Sequence, residues 1–368
     1  MKKFIIALLV FVLSLSSCAY AASEFNEVWL VTADTTAKGA AGQVFVQLVQ
    51  EKVKAANAGL VIDYFPNGEL GGDADLLRQA QKGYIAIMLC QTAPVVSFIP
   101  EMAVFDLPMV FARYDGDTID EVLNGDSEFH RQMSAAYNKA GLHLLGFMQN
   151  ATYRLATANK DLQTLTDFGG LQIRTMENKN HMDFWTAIGA EPTPLAWSEL
   201  YISLQNGTVN AQENAADTCV GAHFEEVQKY LACTNHILYC NQICMNEKMY
   251  QALSPEHKAV LDKAISEALS EMRPRLEEID KSNKDILIKG NMKMIEYDNS
   301  FFTDVLAIQG VKDLYKRIDN ATNGLASALE KSLAEAAAAN APAPATEAPA
   351  EPEPAPVVEE TPAPILPD

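Results

Sequence analysis

Leu60-Val61-Ile62-Asp63-Tyr64-Phe65-Pro66-Asn67-Gly68 reads as a short strand running into a turn, and what flanks it decides the fold. Upstream, Val28-Trp29-Leu30-Val31-Thr32-Ala33 is a second strand candidate. Between the two, Phe45, Leu48, Val49 and Val53 recur at helical spacing as far as Gly59. Downstream of Gly71-Gly72 the pattern predicts a helix from about Asp73 to Lys82, then a third strand, Tyr84-Ile85-Ala86-Ile87-Met88-Leu89. The order β-α-β-α-β implies a mainly parallel sheet covered by helices.

The pattern restarts after about residue 144. Leu144-Leu145-Gly146-Phe147-Met148, Tyr153-Arg154-Leu155-Ala156-Thr157 and Leu171-Gln172-Ile173 read as strands. A helix over about 178–188 stops at Gly189, and another over 198–205, with Ser198 as its N-cap, stops at Asn206-Gly207. Two α/β units therefore make up the body, and the space between them is the default pocket. Ser254-Pro255 starts a long polar helix to about Met272, kinked or interrupted by Pro274, and helical material continues to about Ala339. The last thirty or so residues are Ala-Pro-Glu low complexity, a composition that cannot build a core and that reads as a disordered tail.

The chain opens with Met1-Lys2-Lys3 and an apolar run through Leu15, too short to span a bilayer, so it reads as an export signal. Two processing sites compete: Ala19-Tyr20-Ala21 fits ordinary cleavage, and Leu15-Ser16-Ser17-Cys18 resembles the lipobox of bacterial lipoproteins, whose cysteine is acylated. The remaining five cysteines, Cys90, Cys219, Cys233, Cys240 and Cys244, are odd in number and read as buried thiols. His236, Cys240 and Cys244 have a spacing that would chelate on a helix, but residues 237–244 read as extended, where four residues span roughly 13 Å. No metal site or cofactor is expected. A formal charge of −20 argues against nucleic acid as a partner. The tail concentrates part of that charge, with Glu335, Glu347, Glu351, Glu353, Glu359, Glu360 and Asp368 and no basic residue.

The residue that points to chemistry is Arg174. It ends the strand Leu171-Gln172-Ile173-Arg174, and ligands of open α/β sheets bind at the carboxyl ends of strands. A guanidinium meets both oxygens of a carboxylate with a planar fork of donors, which lysine cannot do. The N–H groups of the helix starting near Asn178 should add positive potential to the same corner. Arg154 lies upstream, and Gln212-Glu213-Asn214 closes another short strand.

Asp167-Phe168-Gly169-Gly170-Leu171-Gln172-Ile173-Arg174, Gly189-Ala190-Glu191-Pro192-Thr193-Pro194, Ser198-Glu199-Leu200-Tyr201, Leu204-Gln205-Asn206-Gly207 and Gln212-Glu213-Asn214 together resemble the solute-binding proteins of TRAP transporters, the DctP-like family. Phe65-Pro66-Asn67-Gly68-Glu69-Leu70-Gly71, Phe105-Asp106-Leu107-Pro108 and Thr234-Asn235-His236 extend the resemblance over about residues 26–330, with a layout closest to the sialic-acid and organic-acid binders. The resemblance implies a two-domain, flytrap-like periplasmic binding protein of α/β class, its domains joined by long C-terminal helices. It implies closure on a small organic acid and delivery to TRAP membrane permease subunits, without catalysis, by a monomer.

On this resemblance Arg174 matches the carboxylate-clamping arginine. Arg154 matches a second arginine that helps hold the ligand, Asn214 an asparagine of the site, Trp197 an aromatic wall and Asp73 a contact to sugar hydroxyls. Gln91 stands where sialic-acid binders carry glutamate, and Glu177 where they carry asparagine. Val209-Asn210-Ala211 replaces the usual Val-Asp-Gly. Domain I is expected at 24–151 plus about 240–279, domain II at 152–239 plus about 280–332, the signal at 1–21 and the tail at 333–368. Alternatives are an organosulfonate ligand on the same arginine, or a sensory binding protein on the same fold. A hydrolase using Glu213 and a histidine lacks Gly-x-Ser-x-Gly, His-Glu-x-x-His and any glycine-rich phosphate loop.

Overall fold

The computed structural model describes residues 27–32, 40–149 and 152–340. The export signal with Cys18, and the acidic tail beyond residue 340, lie outside the described residues.

Short apolar runs bounded by turn residues become eleven strands among the described residues: β1 (Glu27–Val31), β2 (Val61–Phe65), β3 (Ile87–Gln91), β4 (Leu142–Met148), β5 (Leu155–Ala158), β6 (Gln172–Thr175), β7 (Glu191–Pro194), β8 (Ala211–Asn214), β9 (Tyr230–Ala232), β10 (Asn241–Asn246) and β11 (Lys293–Ile295). They form two sheets, ordered β2-β1-β3-β10-β4 and β11-β9-β5-β8-β6-β7. β1 pairs in parallel with β2 and β3, as the β-α-β-α-β pattern requires. The first sheet is nevertheless mixed, because β10 returns from the second lobe and pairs antiparallel with β3 and β4. All residues of β3 and β10 are buried, which fits their interior places in the sheet.

After β2, Asn67 and Gly68 both adopt left-handed backbone (φ 54 and 67), and the Gly68 N–H donates to Thr32 O at 3.0 Å. This turn delivers Gly72 as the cap of the helix Asp73–Lys82, whose bounds coincide with the expected ones. Two crossing segments join the lobes and hydrogen-bond to each other: Tyr153 bridges Leu238, the Arg154 N–H donates to Ile237 O at 2.8 Å, and the Tyr239 N–H donates to Thr152 O at 2.8 Å.

The long helix Pro255–Lys289 is capped by the Ser254 side chain, which accepts from the His257 N–H at 3.1 Å. It runs past Pro274 without ending. Pro274 and Ser270, one turn before it, are both exposed, while Met272 and Leu276 stay in the core. The helix packs on Ala41–Ala56 in the first lobe and on Ala216–Gly221 in the second, and so ties the two together.

Two expectations near the end of the chain are corrected. The helix Leu325–Asn340 packs on Gly116–Asn124 and Glu128–Lys139, so the chain has returned to the first lobe before residue 332. A tail starting at 333 begins too early, because Leu333 and Ala336 are buried in that packing. The helix expected at 198–205 spans Trp197–Gln205, with Ala196 at the cap position; Ser198 lies inside the first turn and caps nothing. All five described cysteines are buried, as expected of structural thiols.

Candidate functional site

β6 lies between β7 and β8, with Arg174 in register with Thr193 and Gln212. Leu171 and Ile173 are core residues, and alternation turns Arg174 to the opposite face at the end of the strand. The loop after β7 folds over it, so Arg174 is only 3% exposed and its Nε and Nη2 both donate to Leu195 O, at 3.0 and 2.7 Å. Its Nη1 is enclosed and has no hydrogen-bond partner within the protein. Side-on donation to Leu195 leaves the end-on fork of Nη1 and the second Nη2 hydrogen unused. Burial, with Arg154 nearby, pushes the pKa of Arg174 down to about 10, against the opposing pull of Glu213 and Asp73.

A cavity of about 840 Å³ opens between the lobes and has Arg174 on its wall. Asp73, Gln91, Glu177, Trp197 and Asn214 also line it, so six of the seven expected residues converge on one space. Asp73 enters from the first turn of its helix; its Oδ1 is enclosed and unpartnered, and burial pushes its pKa up to about 6 although Arg174 pulls it down. Gln91 ends β3 and Asn214 ends β8, while Glu177 is exposed at the rim. Trp197 opens its helix, is 37% exposed, and meets Phe224 edge-on at 5.9 Å.

Arg154 is the exception. It does not line the cavity but lies beneath it, 2% exposed, and its donors are taken by protein acceptors. Nε donates to Glu213 Oε2, Nη1 to Gln91 Oε1, and Nη2 to Glu213 O, Glu213 Oε1 and Asn214 Oδ1 at 2.9, 3.0 and 3.1 Å. Gln91 belongs to the first sheet and Glu213 to the second, so Arg154 links the lobes.

The network continues where no role was expected. His236 Nε2 lies 3.2 Å from Glu213 Oε2, His181 Nδ1 lies 3.7 Å from Glu213 Oε1, and His181 Nε2 lies 3.0 Å from Asp106 Oδ1. Burial disfavours the Glu213 carboxylate, but Arg154 and the two histidines outweigh it and hold its pKa well below the usual range. Burial would likewise lower His181; Asp106 and Glu213 overcome it and raise the pKa to about 9. Phe105-Asp106-Leu107-Pro108 and Thr234-Asn235-His236 were visible as sequence motifs, yet nothing local in them says that Asp106 and His236 meet the same buried cluster.

The N-terminus of the helix Lys179–Ala187 does not serve the ligand corner as expected. Asn178 Oδ1 accepts from the Asn180 and His181 N–H groups at 2.8 and 3.1 Å, which uses those donors. Ala211 opens β8 with ordinary backbone and pairs with Ile173 and Ala158.

Residues 25–318 match the model of the bacterial extracellular solute-binding proteins, family 7. The chain belongs to this family. The 2,3-diketo-L-gulonate-binding periplasmic protein of Escherichia coli is 26% identical to this family 7 chain over 285 residues, covering 77% of it and 84% of that relative. Among solved structures, a TRAP periplasmic solute-binding protein from Polaromonas sp. JS666 bound to D-erythronate is 26% identical, with a TM-score of 0.73 over 83% of this chain and 98% of its own. One from Desulfovibrio salexigens with bound orotic acid shares the fold at a TM-score of 0.78 and 20% identity, over 84% and 99%. Family 7 proteins of TRAP systems are periplasmic transport components. Among the described residues, no helix is long and apolar enough to cross a membrane.

Proposed function

We propose that this protein captures a small organic carboxylate between its two lobes and delivers it to the membrane subunits of a TRAP transporter. The observation that carries the reading is the unpartnered Nη1 of Arg174, an enclosed and charged donor on the wall of a cavity sized for a small molecule. A buried donor without an acceptor costs free energy, and a carboxylate seated on the end-on fork recovers it with two charge-assisted hydrogen bonds. 2,3-Diketo-L-gulonate and D-erythronate, named for two relatives, are carboxylates, which supports the same chemistry here. Trp197 supplies an apolar wall, and Asn214, Gln91, Asp73 and Glu177 supply polar contacts. Arg154 acts from below by holding Gln91 and Asn214 in place. The lobes divide along the two sheets and hinge at the paired crossing segments. The protein works as a periplasmic monomer, catalyses no reaction, and is either freed after Ala21 or anchored through an acylated Cys18.

The test is a thermal-shift panel of organic acids, sugar acids and sulfonates on the mature protein, with native mass spectrometry to detect co-purified ligand. A ligand at a thousand times its dissociation constant adds about 4 kcal/mol of stability. Arg174→Ala should then weaken the best ligand by roughly 2–5 kcal/mol. Wild-type affinity in that variant would sink the reading, and a panel in which only sulfonates shift the protein would replace the carboxylate by a sulfonate.

A further inference from the structure

A second opening lies on the second lobe, beside the cleft. It is a groove of about 470 Å³ between the helix Trp197–Gln205 and the turn Phe224–Glu226, and Trp197 and Ser198 line both it and the cleft. The helix spends Leu200 and Leu204 on the core, so Trp197 and Tyr201, four residues apart, share a flank that the core does not use. Opposite them, His223 adopts left-handed backbone (φ 56) at the entry to the turn, with its own side chain exposed and Phe224 buried against Trp197. Glu226 is exposed, lines the groove and accepts from the Tyr201 hydroxyl at 2.6 Å.

The chain that builds this groove carries charge of one sign. Residues 180–228 contain seven acids and no lysine or arginine, so any cation there has to come from outside the segment. Three of the acids are answered within the fold: Asp183 by Lys179 and Arg317, Glu213 by Arg154, and Asp217 by backbone N–H groups. Glu191, Glu199 and Glu226 are exposed and pair with no lysine or arginine among the described residues. An indole beside an uncompensated carboxylate suits a guanidinium, which stacks on the ring and donates to the acid. At an exposed site each of these contacts gives about fivefold in affinity or less, too little to hold a free small cation. Inside a protein interface the same pair becomes an anchor, because surrounding contacts keep water from it. The groove adjoins the cleft, so its occupant sits beside the place where ligand leaves. Resting on the transport reading above for the identity of the partner, we propose that the groove docks an arginine-bearing loop of the transporter's membrane subunits, with Trp197 and Glu226 as the anchor points.

Biolayer interferometry of the mature protein on its cognate membrane subunits in lipid nanodiscs tests this, with calorimetry of the best acid of the panel as the check on fold and closure. Glu226→Lys reverses the charge, and Ala222→Trp fills the groove that Ala222 lines. Each should weaken docking about tenfold or more. Both should leave acid affinity within about twofold of the wild type, as surface substitutions do. Glu226→Gln should make docking less steeply dependent on salt, which a merely structural role would not do. Glu51→Lys, the same charge reversal at an exposed site on the first lobe, should leave docking within about twofold. Wild-type docking by Glu226→Lys and Ala222→Trp, or an equal loss in Glu51→Lys, would overturn the groove and leave acid capture standing. Agmatine, a free guanidinium, binding alone at micromolar strength and lost in Glu226→Gln would make this a small-cation site and overturn the docking. A protein that captures an acid but docks in no form would overturn this inference together with delivery. Loss of docking in the groove variants of a protein that binds no acid would leave the groove standing and sink carboxylate capture alone.

Discussion

The floor and the wall of the cleft each bury an arginine, and the two are used in opposite ways. Arg154 in the floor is 2% exposed and Arg174 in the wall is 3% exposed, so burial does not distinguish them. Saturation does. The donors of Arg154 are met by Glu213, Gln91 and Asn214, whereas Arg174 keeps an enclosed nitrogen with no protein acceptor. A saturated buried cation holds structure together; an unsaturated one on a cavity wall stores the free energy that a ligand releases.

The largest expected effect separates the two arginines. Arg154→Ala strands the Glu213 carboxylate in the floor and should cost roughly 3–5 kcal/mol of folding stability, measured by denaturant unfolding. Arg174→Ala should leave the ligand-free protein about as stable as the wild type, or more so, because it removes a cation whose charge is poorly met. Equal destabilisation by the two variants would erase the distinction between floor and wall.

Titration of the floor comes next. His181 carries a pKa of about 9 in the folded protein against 6.5 as the ordinary value. Its ionic contribution is therefore complete below about pH 6.5 and is lost as the pH rises through about 9. Unfolding midpoints measured across that window should fall in the wild type and stay flatter in His181→Gln, compared as slopes because the variant starts lower.

The smallest effect concerns Asp217, a satisfied group on the wall. It accepts from the first N–H of the helix Ala41–Ala56 in the opposite lobe, whose own cap residue, Ala40, offers no side-chain acceptor. Asp217→Ala should weaken closure by about 1 kcal/mol, as loss of a helix cap does. Ligand affinity should drop accordingly, and X-ray scattering should report a larger radius of gyration at subsaturating ligand. No change in either would show that this contact forms without biasing closure.

Much of the architecture was legible because its causes are local. Apolar alternation and turn residues placed most strands within a few residues, and the helix Asp73–Lys82 follows from its own periodicity between glycines. Errors arose where packing overrides a local signal. Pro274 reads as a kink or an interruption, and the helix is not interrupted, because on an exposed face it can carry proline; Ser198 reads as a cap, but the chain turns helical one residue earlier. The return of Leu325–Asn340 to the first lobe depends on what that helix packs against, which its own residues do not state.

The sequence by itself determined the two α/β units, the export signal as an expectation, and the residue types able to hold a carboxylate, because periodicity and donor geometry are properties of short segments. Only the tertiary structure decided which arginine is available. Arg154 meets Glu213 across 59 residues and Gln91 across 63, and no local pattern encodes contacts at that range. Availability belongs to the three-dimensional arrangement of acceptors: a donor is free for a ligand only when the fold has placed no protein oxygen against it.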